Sequence, residues 1–452
     1  MTTLSKLRVF SLVAAAGCTA SAPLPTDEAT ESVTCPVPTI DPSRSLAVTD
    51  PTALAGFSFS RVMGQVTTSA GATNTPLAIY QAWMATFGDC TNPKIDPKGY
   101  GLKCPRPETT LGSFDPFLQS GPHYVPVALT NRFDLAPRNG ADCGEYRIVY
   151  ALTNQGVLGR AFIIFEARLP NPNPTAGLAG CAPVADFWAQ LSTDGSATSR
   201  AAKLAGFYFT GLPGFEPVVA ATHYGLSASS TNTRPRGQIR TNFFAQGQQW
   251  QLREFQLAKP CASGAACALS VEHVTAKVNP ANELFTGTHA EAPNFQAAFL
   301  GQVPALSASP AAAIGMTNAN KYNEFESVSQ GSTDVVYANF TQASFRTQIA
   351  AAITNPNLSV QNILDRATTQ TCAGCHQLSA GTHAQLGDGV VWPASLGFVH
   401  IDERSRLSPA LTTSFLPARA ATLTAFLQGQ CTGAPITDNG TNLGGGAIDA
   451  PN

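Results

Sequence analysis

Charge is scarce in this chain of 452 residues: charged residues make up 12%, about half of the roughly 25% usual for soluble domains. Lys+Arg 27 stand against Asp+Glu 29, for a net charge of −2. No nucleic-acid face is signalled, because phosphate binding needs clustered, uncompensated Lys and Arg, and no nucleic acid is expected as a partner. Methionine is scarcer still, with Met1, Met63, Met84 and Met316 as the whole complement. No run reaches the ~18 apolar residues of a membrane-spanning helix. Gly-x-Ser-x-Gly, His-Glu-x-x-His and a phosphate-binding loop are all missing, which removes the commonest hydrolase and nucleotide signatures. What remains is 44% hydrophobic sequence, enough for a sizeable core, with 38 Gly and 33 Pro pointing to many loops.

The N-terminus reads as an export signal. Lys6 and Arg8 precede the short, mostly apolar stretch Val9 to Ala16, and Ala15-Ala16-Gly17-Cys18 follows. Eight mostly apolar residues suit a signal-peptide core and are too few to span a bilayer. Small residues before a cysteine resemble a bacterial lipobox, which implies a lipid on Cys18, although Ala15 stands where the usual Leu would be. Cleavage after Ala20-Ser21-Ala22 is the rival, with Pro23 against it. Residues 1–18 are expected to be signal peptide and lipobox, and on either cleavage the mature chain is expected outside the cytoplasm: periplasmic, anchored to the outer membrane by lipid, or at the cell surface.

Residues 19–48 are polar and proline-rich and predict a flexible linker. Residues 49–305 carry strand-like runs bounded by turn chemistry, notably Tyr146–Leu152, Ala161–Ala167, Gln238–Phe244, Trp250–Leu257 and Ala268–Val278. Helical spacing appears at Leu77–Phe87 and Val184–Leu191. The expectation is an α+β fold: a mainly antiparallel β domain with a few helices, then a linker or crossover over 306–338. A C-terminal all-α domain is expected over 339–432, before a disordered tail, 433–452. Eleven cysteines suit an oxidising compartment. Setting Cys18, Cys372 and Cys375 aside leaves an even number, with Cys90–Cys104 and Cys261–Cys267 as plausible local pairs.

Thr371-Cys372-Ala373-Gly374-Cys375-His376 contains Cys-x-x-Cys-His. Two thiols at this spacing can reach the two vinyl groups on a porphyrin edge, and the next residue can then present an imidazole to the iron. Ala373 and Gly374 are small, as a backbone lying close to the porphyrin edge requires. On these residues the segment from Asn339 to Cys431 resembles a c-type cytochrome domain. The resemblance implies covalent haem c on Cys372 and Cys375, iron on His376, and one-electron transfer with a redox partner protein. No methionine follows His376, so the common Met axial ligand is missing. His400, 24 residues on in Gly397-Phe-Val-His-Ile401, is the preferred distal ligand. His383 is too close in sequence to cross to the other face, while His123, His223, His273 and His289 remain open. A bis-His site implies a lower potential than a Met/His one.

Three other readings stand beside this one. Cys372–Cys375 as a disulfide would make the chain a surface binding or structural lipoprotein. A vacant sixth position would make it a haem peroxidase-like enzyme. Zinc on Cys372, Cys375, His383 and His400 is chemically possible. Arg132, Asp134, Glu145, Arg147 and Glu166 lie on or beside strands and predict a buried charged cluster, read as structural. Trp392 is placed to cover one haem face, or to serve as core.

Overall fold

The computed structural model describes residues 37–91, 96, 98–153, 159–226, 237–244, 249–259, 267–329, 336–381 and 384–432. The expected signal, Cys18, the first part of the linker, Cys261, His383 and the tail lie outside the described residues.

Strand-forming runs that alternate between apolar and charged side chains set the architecture. Seven antiparallel strands follow chain order: β1 (Ala47–Val48), β2 (His123–Arg132), β3 (Asp142–Thr153), β4 (Arg160–Pro170), β5 (Gln238–Phe244), β6 (Trp250–Ala258) and β7 (Ser270–Val274). An eighth, β8 (Glu326–Ser329), pairs with Trp250–Arg253 on β6, ahead of the stretch that pairs with β7. With helices on either side of this sheet, the fold is α+β.

The pleat sorts the residues. Tyr146, Ile148 and Tyr150 of β3 share a face with Ile163, Phe165 and Ala167 of β4, and all are buried. That face carries aromatic contacts to helices 59–69, 76–85, 182–193 and 197–209: Phe59 meets Tyr150 at 5.2 Å, Trp83 meets Phe255 at 5.4 Å, and Trp188 stacks on Tyr146 at 5.8 Å. The opposite face carries Glu145 and Arg147, Ile164, Glu166 and Arg168, then Arg240 and Asn242. It turns toward the C-terminal segment, so the sheet is apolar toward the helices and charged toward Cys372, Cys375, His376 and His400.

The described residues cluster as one compact unit. Two stretches expected to be linkers contribute to it. Asp41 caps the short helix Pro42–Ser45, and Ala47 and Val48 pair with Thr130 and Leu129, so the polar tether ends before residue 37. Within 306–338, Glu326–Ser329 supplies β8, because Glu326 and Ser327 find buried partners in Arg253 and the Ala373 N–H. Strand β2 escaped the sequence reading because Pro126 interrupts it; the register shifts between Pro126 and Ala128, as a bulge allows. Helix Phe59–Ser69 carries Gly, Val and Thr, which are weak helix formers, and is held by its Ser58 cap and its buried face.

Cys90–Cys104 is bridged, as its spacing suggested, and so is Cys143–Cys181, which no local spacing signalled. Cys267 is also disulfide-bonded. Among the described residues, no helix is long and apolar enough to cross a membrane.

Candidate functional site: a cavity between the charged sheet face and Cys372–His376

The helix Val360–Thr369 delivers the motif. Ser359 and Asn362 close a capping box at its start. Buried Arg366 ties the helix to two loops by donating to the carbonyls of Leu306 and Leu386. After Gln370 the chain turns sharply: the Gly374 N–H donates to Thr371 Oγ1 and the Cys375 N–H to the Thr371 carbonyl. The next turn, Gly374–Leu378, is π-helical, closed by the Ser379 N–H on the Gly374 carbonyl at 3.0 Å. Such wide turns are rare and often mark functional sites.

Gly374 has a different role from the one its size suggested. A Cβ there would lie 1.7 Å from the Thr368 carbonyl oxygen, so the position is closed by the end of its own preceding helix. Ala373 is fully buried, clusters with Trp250 and Leu252 of β6, and donates its N–H to Ser327 Oγ. The motif is thereby docked onto the sheet.

Cys372, Cys375, His376 and His400 all line one cavity of 220 Å³. Neither cysteine is in a disulfide. Burial pushes the Cys372 thiol up to about 12 and the Cys375 thiol up to about 11, so both are protonated at neutral pH. A redox dithiol would need a depressed pKa, so thioredoxin-like chemistry does not fit.

The His376 ring is held from three sides. Its Nδ1–H donates to the Phe398 carbonyl at 2.9 Å, which leaves Nε2 with a free lone pair. Trp250 stacks on it with centroids 5.6 Å apart. Asn242 Nδ2 donates to the same Phe398 carbonyl and Asn242 Oδ1 accepts from Trp250 Nε1, so ring and carbonyl share one support. Phe398 holds φ +68°, an uncommon conformation for a side chain of this size, and so aims its carbonyl at the imidazole.

His400 bonds Ser408 Oγ through Nδ1 at 3.0 Å and lies 3.3 Å from Cys375 Sγ through Nε2. Its ring centroid is 4.5 Å from that of His376. Metal–nitrogen bonds of about 2 Å would set the two Nε2 atoms about 4 Å apart and the centroids about 6 Å apart. Iron between the rings therefore requires them to open by more than an ångström. Burial lowers the pKa of His376 to about 4 and drives that of His400 well below its ordinary value, so both are neutral, as ligands must be.

A pH dependence follows for the haem-free chain. A folded pKa below the unfolded 6.5 costs stability only where the unfolded imidazole is charged. Stability is therefore undisturbed above pH 7 and falls as the pH drops below 6.5, with the His376 share lost progressively toward about 4. Asp142, raised by burial to about 6, works in the opposite sense. Urea titrations at pH 7 and pH 5 are expected to show a loss of about 2 kcal/mol in wild type relative to His376→Gln; equal slopes in the two would place the imidazole in water.

The other wall is the charged face of the sheet. Arg147 pairs with Glu145 and Glu166, Arg240 with Glu166 and Glu254, Arg132 with Asp134 and Arg168 with Asp142. The cluster read from sequence thus exists, and its Arg132, Glu145 and Arg147 line the cavity together with Arg168, Arg240, Lys277 and Arg419. Alternation along Gln238-Ile-Arg-Thr-Asn242 was the signal for Arg240; Lys277 and Arg419 had none. Trp392 lines the cavity and packs on Phe415 at 5.5 Å.

Of the described histidines only His376 and His400 reach this cavity. His123 is engaged with Gly121 and Thr153, His223 with Val218, His273 with Phe325, and His289 lies against Tyr100. Cys18 and His383 lie outside the described residues.

Arg160 latches the loop that carries Phe398 and His400: its Nε and Nη2 grip Glu403 at 2.7 and 2.9 Å, and its Nη1 donates to the Gly397 carbonyl. The pair is about one-third exposed, so Arg160→Ala is expected to cost no more than about 1 kcal/mol in urea titration. The same change frees the Gly397 carbonyl, and so loosens the loop that presents the Phe398 carbonyl to His376.

The donors present suit a haem c once the imidazoles open: two unpaired thiols, two neutral imidazoles and arginines able to meet carboxylates, all on one cavity. Among the described residues no group of three or more His, Cys, Asp or Glu is placed to hold a bare metal ion, whereas a porphyrin brings four nitrogens of its own. Compared with family models, curated proteins and solved structures, the chain matches none of them.

Proposed function

We propose that this chain is an exported, lipid-anchored, monohaem c-type protein that passes single electrons to and from a partner protein. The observation that carries this reading is the convergence of Cys372, Cys375, His376 and His400 on one cavity, with both thiols unpaired. Cys372 and Cys375 would hold the macrocycle as thioethers, His376 would be the axial ligand, and His400 the second. Bound there, haem supplies an iron that alternates between ferrous and ferric.

The residues of the chain do the rest. Phe398 and Asn242 fix the His376 tautomer, Trp250 fixes its plane, and the sheet wall surrounds the group with paired charges. Residues 339–432 would form the cytochrome c-like part, resting on the sheet rather than standing apart from it. Export and the lipid on Cys18 rest on the N-terminal sequence alone.

The alternative of a structural lipoprotein requires a Cys372–Cys375 bond, and the two thiols facing the cavity unpaired weigh against it. Intact mass of protein from a host with haem-maturation machinery tests the reading. The expected mass includes one haem and a diacylglycerol; a mass lacking haem and lighter by the two hydrogens of a further disulfide would overturn it.

A further inference from the structure

Most of the cations on the cavity wall are held in hydrogen-bonded ion pairs, but two are not. Arg419, on the last helix, makes no hydrogen bond among the described residues: its Nε is buried without a partner and its nearest acid, Asp134, stands 3.9 Å away. That acid is already held by three hydrogen bonds from Arg132. The Arg419 side chain is only 12% exposed. Lys277 likewise has neither hydrogen bond nor ion pair among the described residues, although it lines the same cavity. Val278 beside it holds φ +52°, an outlier for a β-branched residue. The two cations belong to one region, since Glu145 and Asp142 feel Lys277 while Asp134 lies between Arg132 and Arg419.

A guanidinium cannot shed its proton, and a buried cation whose nearest acid is shared and out of hydrogen-bond reach is costly. Planar bidentate donors suit carboxylates. We infer that Arg419 and Lys277 form a carboxylate-binding site on the sheet side of the cavity. The carboxylate has two possible sources: a propionate of the haem itself, or a small free organic acid bound beside it. The first source rests on the haem reading; the second does not.

The test uses the full chain in carboxylate-free buffer, haem-loaded and, from a host without maturation machinery, haem-free. Succinate is the probe, and Arg419→Gln, Arg419→Lys and Lys277→Gln are the variants. If the source is a propionate, Arg419→Gln shifts the propionate deformation bands in resonance Raman spectra, Arg419→Lys restores them in part, and succinate leaves wild type unchanged. If the source is a free acid, succinate raises the thermal midpoint saturably, and Arg419→Gln and Lys277→Gln each weaken its binding by about tenfold or more, the loss expected for a charge-assisted hydrogen bond. Unaltered Raman bands together with no succinate stabilisation in either form would overturn the inference. Should the protein carry no haem at all, the proposed function fails while the haem-free succinate titration still decides this site.

Discussion

Gly374→Ala is expected to be among the most damaging single substitutions in the chain, costing about 4 kcal/mol or more. The new methyl would stand 1.7 Å from the Thr368 carbonyl oxygen and 2.9 Å from Thr371 Oγ1. Neither can retreat cheaply: Thr368 O accepts from Thr371 Oγ1, and Thr371 Oγ1 accepts from the Gly374 N–H. Relief requires unwinding the turn that sets Cys372, Cys375 and His376 on the cavity. The urea midpoint of the haem-free protein should therefore fall sharply, and covalent haem loading should fall with it. A variant as stable as wild type would mean that the tight turn after Thr369 is not the native one.

Trp250→Ala should be nearly as costly, about 3–5 kcal/mol for a fully buried aromatic. Trp250 is completely buried, and its indole lies under His376 and beside Phe398, with centroids 5.6 and 6.0 Å away. Its Nε1–H also anchors Asn242, which shares the Phe398 carbonyl with His376. Removing the ring takes away both the packing beneath Ala373 and the plane that fixes the imidazole. Chemical denaturation measures the first effect. The second is expected as a mixture of ferric spin species in low-temperature electron paramagnetic resonance, with Trp250→Phe restoring a single species. One sharp signal in Trp250→Ala would show that the imidazole is oriented by something else.

The sheet was legible wherever alternation was clean. Trp250–Leu257 alternates Leu252 and Glu254 against Arg253 and Phe255, and the structure puts the first pair on the face toward the cavity and Phe255 on the helix-covered face. Strand β2 was illegible because Pro126 breaks its pattern, and β8 because four residues carry too little period to read. In the site, Cys372, Cys375 and His376 were readable because their spacing is itself the chemistry. His400 was chosen by reach along the chain, and the fold brings it to the same cavity by a loop pinned at Arg160. The charged cluster was legible as a cluster but not as a cavity wall. Its partners come from strands far apart in sequence, Arg147 meeting Glu166 and then Arg240, and only register places them together. Arg419 and Lys277 carried no local pattern, since what distinguishes them is a missing partner in space.

The proposed haem would be bonded to Cys372 and Cys375. Protein made in a host with haem-maturation machinery, unfolded with strong denaturant and reductant and run on a denaturing gel, measures this directly through the peroxidase stain of haem. The expected result is a stained band at the position of the full chain, abolished in Cys372→Ala/Cys375→Ala. A colourless, unstained wild-type band, with both thiols then free to alkylate, would contradict it.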